Sequence, residues 1–317
     1  TGPLRLELRP LVGRLSLPTN DGGDMDEKNN GLTTSWDVFH NISPADRRGH
    51  FLLLPSLLNK DINWRGQSLT KEDCHDLVHL TSAIEPVGSI FIGYNSVGAG
   101  ASQNHIHCHS WPYPNIDSTR IDTDDDEEDE FASFCYAVNN IGKIYDFYDI
   151  YEGKVEVSYL NYPVFCIQMS SSVANLDLLG RTLATCLEAI GEAPHNVGFL
   201  NRVFEIEIDG EEDENERYPV ENLTEKMVDV FLFARSKERS SILPTLKLGI
   251  SEMMGIFHAQ SEAELDALSA VDTVTNEEGK SSEHSAMEQA LADVSYEDDE
   301  ELWNNMIARL EALDKGD

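Results

Sequence analysis

Asn95-Ser96-Val97-Gly98-Ala99-Gly100-Ala101-Ser102-Gln103-Asn104-His105-Ile106-His107-Cys108-His109-Ser110 is the stretch on which the reading of this chain turns. Asn104–Ser110 reads as a strand, in which residues two apart share a face and lie roughly 7 Å apart. His105, His107 and His109 then fall on one face, while Ile106 and Cys108 point to a core. Imidazoles gathered on one face need hydrogen-bond partners or a chemical role, because a polar group buried without either costs stability. Three readings follow: histidines satisfied by local hydrogen bonds, a metal site built on the HxH spacing, or an imidazole nucleophile with its neighbours as helpers.

The loop leading into the strand separates these. Asn95–Ser102 offers backbone amides at Gly98 and Gly100 and hydroxyls at Ser96 and Ser102, groups that suit phosphate oxygens and not a metal ion. The segment itself has no carboxylate to complete a metal shell. Asn95, Ser96, Gly98, Gly100 and Ser102 are therefore candidate substrate-binding residues, and His105, His107 and His109 the candidate catalytic ones. Neither a metal nor a cofactor is expected for the chemistry.

Working outward, the pattern around this strand is α+β. Trp36–Ile42 and His50–Leu54 read as strands around a turn. Leu69–Ile84 reads as a helix capped by Thr70, and Ser89–Tyr94 as a strand. The order then restarts: strands at Lys154–Val157 and Tyr162–Met169, a helix at Leu176–Ile190, strands at Asn196–Asn201 and Met227–Ala234. This divides the chain into an N-terminal extension (1–35), partly disordered, and a first half with the histidines (36–121). An acidic loop (122–130), a second half without them (131–258) and an acidic tail (259–317) follow. Asp122–Glu130 has eight acids in nine positions, and Glu205–Arg217 is a second acidic loop; such runs cannot pack. The tail carries 17 acidic and 3 basic residues and reads as loosely attached, ending in a helix with Leu302, Met306, Leu310 and Leu313 on one stripe.

Composition narrows the partners. With 58 acidic and 23 basic side chains, the net charge is −35, a field that repels nucleic acid and anionic membranes. An anionic substrate needs a local pocket working against that field. Five scattered cysteines with no CxxC pair point to a reducing, cytoplasmic setting.

Other polar residues weigh less. His50 opens a strand and reads as structural, and Arg47 and Arg48 as solvated turn residues. Arg235 and Lys237, with Arg239, form the densest basic cluster and are candidate phosphate contacts, with ion pairing to the acidic loops as the rival role. His75 and His79 stand at i, i+4 on a helix, a metal-ligand spacing; with no third ligand in view they read as an ordinary helix face.

The string Asn104-His105-Ile106-His107-Cys108-His109 resembles the HxHxH/Q signature of the histidine-triad superfamily. The longer Gly93–Ala99 and Asn104–His107 segments, with Asn41-Ile42-Ser43-Pro44 and Gly49–Pro55 upstream, resemble the GDP-hexose phosphorylases, relatives of galactose-1-phosphate uridylyltransferase. The likeness runs over about residues 36–260 and is densest in its first third. It implies a histidine-triad-like fold of two fused halves, each an antiparallel sheet with a packed helix. It implies a ping-pong reaction: His107 attacks the α-phosphorus of GDP-hexose, hexose 1-phosphate leaves, and inorganic phosphate takes the guanylyl group away as GDP. His105 would orient His107 by a hydrogen bond, and His109 would stabilise charge at the phosphate. Ser102, Gln103, Asn104 and the amides of Gly98 and Gly100 would hold the phosphates. The implied partners are a nucleotide sugar and inorganic phosphate, with a homodimer left open. Two departures matter. His109 stands where transferases often carry Gln and hydrolases His. Gly100-Ala101-Ser102-Gln103 is closer to diadenosine tetraphosphate phosphorylases, so a dinucleoside polyphosphate phosphorylase or hydrolase is the first alternative. A non-catalytic nucleotide-binding scaffold, recruiting partners through its acidic segments, is the alternative of another class.

Overall fold

Thr70 begins the first helix as expected: its hydroxyl accepts from the Asp73 amide, and the Asp73 carboxylate accepts from the Thr70 amide, a reciprocal cap. In the computed structural model, which describes residues 11–16, 33–42, 49–56, 65–112, 144–206, 223–259, 261–275 and 281–315, this helix, α1, spans Lys71–Ser82. It follows three strands, β1 (Leu11–Leu15), β2 (Trp36–His40) and β3 (Phe51–Pro55), and precedes β4 (Ile90–Asn95) and β5 (Cys108–Pro112). After β6 (Ile144–Ile150) the second half repeats the order: β7 (Val155–Leu160), β8 (Cys166–Ser172), α2 (Leu176–Ile190), β9 (His195–Ile206) and β10 (Leu223–Ala234). The chain closes with α3 (Ile250–Met253), α4 (Glu262–Leu268), the hairpin β11 (Val271–Thr275) and β12 (Ser281–Ser285), α5 (Ala286–Val294) and α6 (Asp299–Lys315).

The architecture is α+β, and the two halves share one antiparallel sheet instead of building one each. Its order is β1-β2-β3-β5-β4-β9-β10-β8-β7-β6. Each half contributes four strands in the same relative order, β2-β3-β5-β4 and β7-β8-β10-β9, and β4 and β9 join them with Gly93 opposite Gly198. One continuous sheet removes two edges that separate sheets would expose.

Layers form on both faces. One core joins Leu77, Val78, Ile92, Cys108 and Ile167 to Leu179, Leu183 and Val230 beneath α1, α2 and α6. The other places Phe91, Trp111, Phe231 and Phe233 against α3 and α5. Neighbours along a strand, such as Phe91 and Ile92, enter opposite cores, as the alternation of side chains in a strand requires.

One expectation is corrected. The tail is part of the fold: Leu302, Trp303, Met306 and Leu310 of α6 are buried in the first core, with Leu313 packed against it. Each such side chain contributes roughly 1.5–3 kcal/mol, enough to offset the acidic composition of the helix's other face. Within the N-terminal extension, β1 is an ordered edge strand on β2, and Arg14 pairs with Asp37 at 2.6 Å. The first acidic loop (122–130), residues 207–217 of the second, and Arg47 and Arg48 lie outside the described residues. Among the described residues no helix is long and apolar enough to cross a membrane.

Candidate active site

The histidine segment differs from a simple strand. Only Cys108 onward is paired, with β3 and β4, so His105 and His107 lie in the approach to β5. His105 and His107 are buried, the latter 1% exposed, and His109 is partly exposed. The rings of His107 and His109 stand edge-on, centroids 5.1 Å apart. His107 Nδ1 lies 2.7 Å from the His105 carbonyl oxygen. That oxygen can only accept, so Nδ1 carries the proton and Nε2 keeps the lone pair. The His105 backbone carbonyl therefore orients His107.

A residue that the sequence reading passed over holds this segment in place. Gln67 accepts from the His107 amide (2.9 Å) through Oε1 and donates through Nε2 to the carbonyls of His107 (2.9 Å) and Asn95 (2.8 Å). The Gln67 amide donates to Asn104 Oδ1, the Tyr94 hydroxyl donates to the Gln67 carbonyl, and the Ile106 amide to that of Arg65. Arg65 in turn makes a two-pronged pair with Asp73 at the start of α1, at 2.6 and 2.8 Å. Residues 65–67 thus brace the histidine segment against the helix. They carry no apolar period, so only the fold could bring them here.

His50 is a second correction. Its Nε2 lies 2.9 Å from His109 Nδ1, so one ring donates to the other. Trp111 stands 5.3 Å from His50 and 6.3 Å from His109, walling both imidazoles. The G-H-F-L-L-L-P string held a usable signal: β3 pairs with β5, placing Leu52 opposite His109.

The glycine-rich loop sits against the second half. Asn95 Oδ1 accepts from Asn196 Nδ2 (2.7 Å) and the Ile250 amide (2.8 Å), and Ser96 Oγ accepts from the His195 amide (2.7 Å). Both side chains are committed to holding the loop. Gly100 has φ +97°, and a Cβ there would lie 2.7 Å from the Leu248 carbonyl oxygen, so the turn requires glycine. Ser102 and Asn104 are exposed beside the triad, and Gly98 is half-buried. Among the described residues, Gln103 Oε1 is a buried oxygen with no hydrogen-bond partner.

Arg235 and Lys237 do not join this group. Arg235 is fully buried and donates to Asn196 Oδ1 (3.2 Å) and to the carbonyls of Leu248 (2.8 Å) and Glu238 (2.7 Å). Burial pushes its pKa down to about 10, against the pull of Glu252 and Glu238, so the side chain stays charged at neutral pH. It supports the loop from behind through Asn196. Lys237 is 2.8 Å from Asp293 on α5, the ion-pair role that competed with phosphate binding.

No protein-family model matches the sequence, and no curated protein matches it either. Among solved structures, the yeast Ap4A phosphorylase Apa2 in complex with AMP aligns over 82% of this chain and 73% of its own, at 14% identity and a TM-score of 0.49. A GalT-like protein of Arabidopsis thaliana covers 72% and 80% at 17% identity, with a TM-score of 0.35. A uridylyltransferase mutant covers 72% and 81% at 11% identity, with a TM-score of 0.34.

Proposed function

We propose that this chain is a nucleotidyltransferase that moves a nucleotidyl group to inorganic phosphate by way of His107. The observation that carries the reading is the 2.7 Å bond from His107 Nδ1 to the His105 carbonyl. It fixes the tautomer in which Nε2 holds a lone pair, the form a nucleophilic imidazole needs near neutral pH. Nε2 attacks the α-phosphorus, forming an N–P bond while the P–O bond to the leaving group breaks. Phosphate then attacks the same phosphorus from the other side, and the N–P bond breaks. His109, edge-on to His107 and sharing a proton with His50, meets the charge that develops on the leaving oxygen. Gln67 positions His107 by holding its backbone from both sides. The amides of Gly98 and Gly100, with Ser102, Gln103 and Asn104, contact the phosphates; Asn95, Ser96 and Arg235 act behind them by shaping the loop.

The substrate class we propose is a GDP-hexose, released as hexose 1-phosphate with GDP as the second product, from the resemblance of Gly93–Ala99 and Asn104–His107 to GDP-hexose phosphorylases. A second reading is favoured by Gly100-Ala101-Ser102-Gln103, which resembles diadenosine tetraphosphate phosphorylases: a dinucleoside polyphosphate is then cleaved. Compartment and assembly stay with the sequence expectations, cytoplasmic and a homodimer left open. A phosphorolysis screen of GDP-, UDP- and ADP-sugars and diadenosine polyphosphates tests the proposal. Phosphate-dependent release of hexose 1-phosphate from GDP-hexose is expected. Turnover confined to diadenosine polyphosphates selects the second reading, and no turnover of any nucleotide overturns both in favour of a binding scaffold.

A further inference from the structure

On the other face of the sheet from the triad, α1 and α2 cross with polar side chains in their seam. His75 and His79, one turn apart on α1, meet Asp177 from the first turn of α2. Asp177 Oδ1 lies 3.1 Å from His75 Nε2 and 3.0 Å from His79 Nε2, and the two rings are 4.3 Å apart. The three donor atoms lie within 4.8 Å of one another. The helix pair thus supplies the third ligand that the sequence alone did not reveal.

Three features separate this cluster from a chance meeting of polar residues. First, Gly180 makes it reachable: a Cβ there would lie 3.0 Å from His75 Cα, so the bare backbone lets α2 approach until Asp177 reaches both rings. Second, His75 is backed as a metal-bound imidazole usually is, its Nδ1 lying 3.3 Å from Asp76 Oδ1. Asp76 is fully buried and held by Thr33 N (2.6 Å), Thr33 Oγ1 (2.9 Å), Thr34 N (3.1 Å) and Trp36 Nε1 (3.0 Å). Third, both ring nitrogens of His75 face carboxylate oxygens, and a neutral imidazole has only one proton to offer. A positive charge belongs between His75 and Asp177, either a second proton or a metal ion.

We propose that His75, His79 and Asp177 bind a divalent transition-metal ion of the zinc class, clasping the helix of the first half to that of the second. Two imidazoles and one carboxylate form a familiar zinc set, and tetrahedral bonds of about 2.0–2.1 Å separate ligand atoms by roughly 3.3–3.4 Å, a small opening of the two His–Asp177 contacts. His75 and Asp177 line a cleft of about 480 Å³ together with Thr33, Lys71, Glu72 and Arg181, from which water would complete the shell. The ion lies outside the phosphoryl-transfer chemistry.

The test uses the full chain stripped with chelator, then titrated with Zn²⁺ by calorimetry and with Co²⁺ by visible absorption. One equivalent bound, a tetrahedral Co²⁺ spectrum and a raised Tm with Zn²⁺ are expected. Asp177→Asn and His79→Gln should abolish uptake while leaving the far-ultraviolet circular dichroism unchanged. Asp76→Asn should weaken affinity on the order of 10–100-fold through His75. His109→Gln should leave uptake intact. Absence of stoichiometric binding, leaving the doubly protonated His75 as the cation, overturns the proposal. So does uptake that survives Asp177→Asn and is lost in His109→Gln, which would place the ion in the triad.

Discussion

The two halves use one strand plan for opposite ends. Gly93 of β4 and Gly198 of β9 face each other and pair onward with His109 of β5 and Phe231 of β10. Superposing the halves through these glycines sets His109 on Phe231 and Trp111 on Phe233. Two residues toward the loop, His107 falls on Asp229. In the first half this face holds imidazoles beside a glycine-rich loop. In the second, Phe231 and Phe233 are fully buried in the core with α3 and α5. Asp229 is buried but satisfied, accepting from Ser170 Oγ and Arg202 Nε, both at 2.6 Å. A buried carboxylate with both partners in place is a closed structural pair. Matched backbone positions therefore carry an imidazole face in one half and a packed aromatic face in the other.

Substitutions on these matched faces should therefore fail in opposite ways. His107→Asn should lower phosphorolysis on the order of 10⁴-fold or more, as loss of a nucleophile does, with unfolding in urea nearly unchanged. On the same face of the second half, Phe231→Ala, at the position matched to His109, should cost about 3–5 kcal/mol of stability through the cavity it leaves. Below its lowered Tm, that variant should retain near-normal turnover. Equal loss of stability at both positions would erase the distinction.

The helix α6 sharpens the contrast, because its acidic surroundings suggested a loosely attached tail. Trp303 is 4% exposed, and its Nε1 donates to Asp146 at 3.0 Å. Trp303→Ala should cost about 3–5 kcal/mol in chemical unfolding, and removal of 299–317 should cost more. A truncated chain as stable as the whole would restore the loose tail.

Gln67 tests how far the first half depends on its brace. Gln67→Ala leaves the His107 backbone without its clamp and should lower kcat about 10²-fold, the scale of a small misplacement of a reacting group. KM should change little. A variant altered in KM alone would mean that Gln67 serves binding. The smallest effect is expected at Lys237. Its pair with Asp293 is partly exposed, and Lys237→Ala should cost less than about 1 kcal/mol. KM for phosphate should be unchanged, whereas a clear rise would return Lys237 to the substrate site.

Much of the scaffold was legible because it obeys local rules. Leu176–Ile190 as a helix, Thr70 as a cap and the paired strands around β4 and β10 all follow from periodicity and capping chemistry. The arrangement of the site was not legible where it depends on contacts distant in sequence. Gln67 and His107 are 40 residues apart, His50 and His109 59, and His75 and Asp177 102. No local pattern marks such pairs. Arg235 misled for a related reason: a basic residue in an acidic chain looks free for a substrate until the fold shows two carbonyls and Asn196 using its donors.

The central claim is the covalent step at His107. The direct measurement is brief incubation with GDP-hexose, or with diadenosine tetraphosphate, labelled in the α-phosphate and without inorganic phosphate, followed by alkaline denaturation and peptide mapping. The account predicts a base-stable, acid-labile phosphoramidate on the peptide containing His105, His107 and His109, absent from His107→Asn and discharged when phosphate is added. Fast phosphorolysis with ternary-complex kinetics and no covalent label at any time would contradict it.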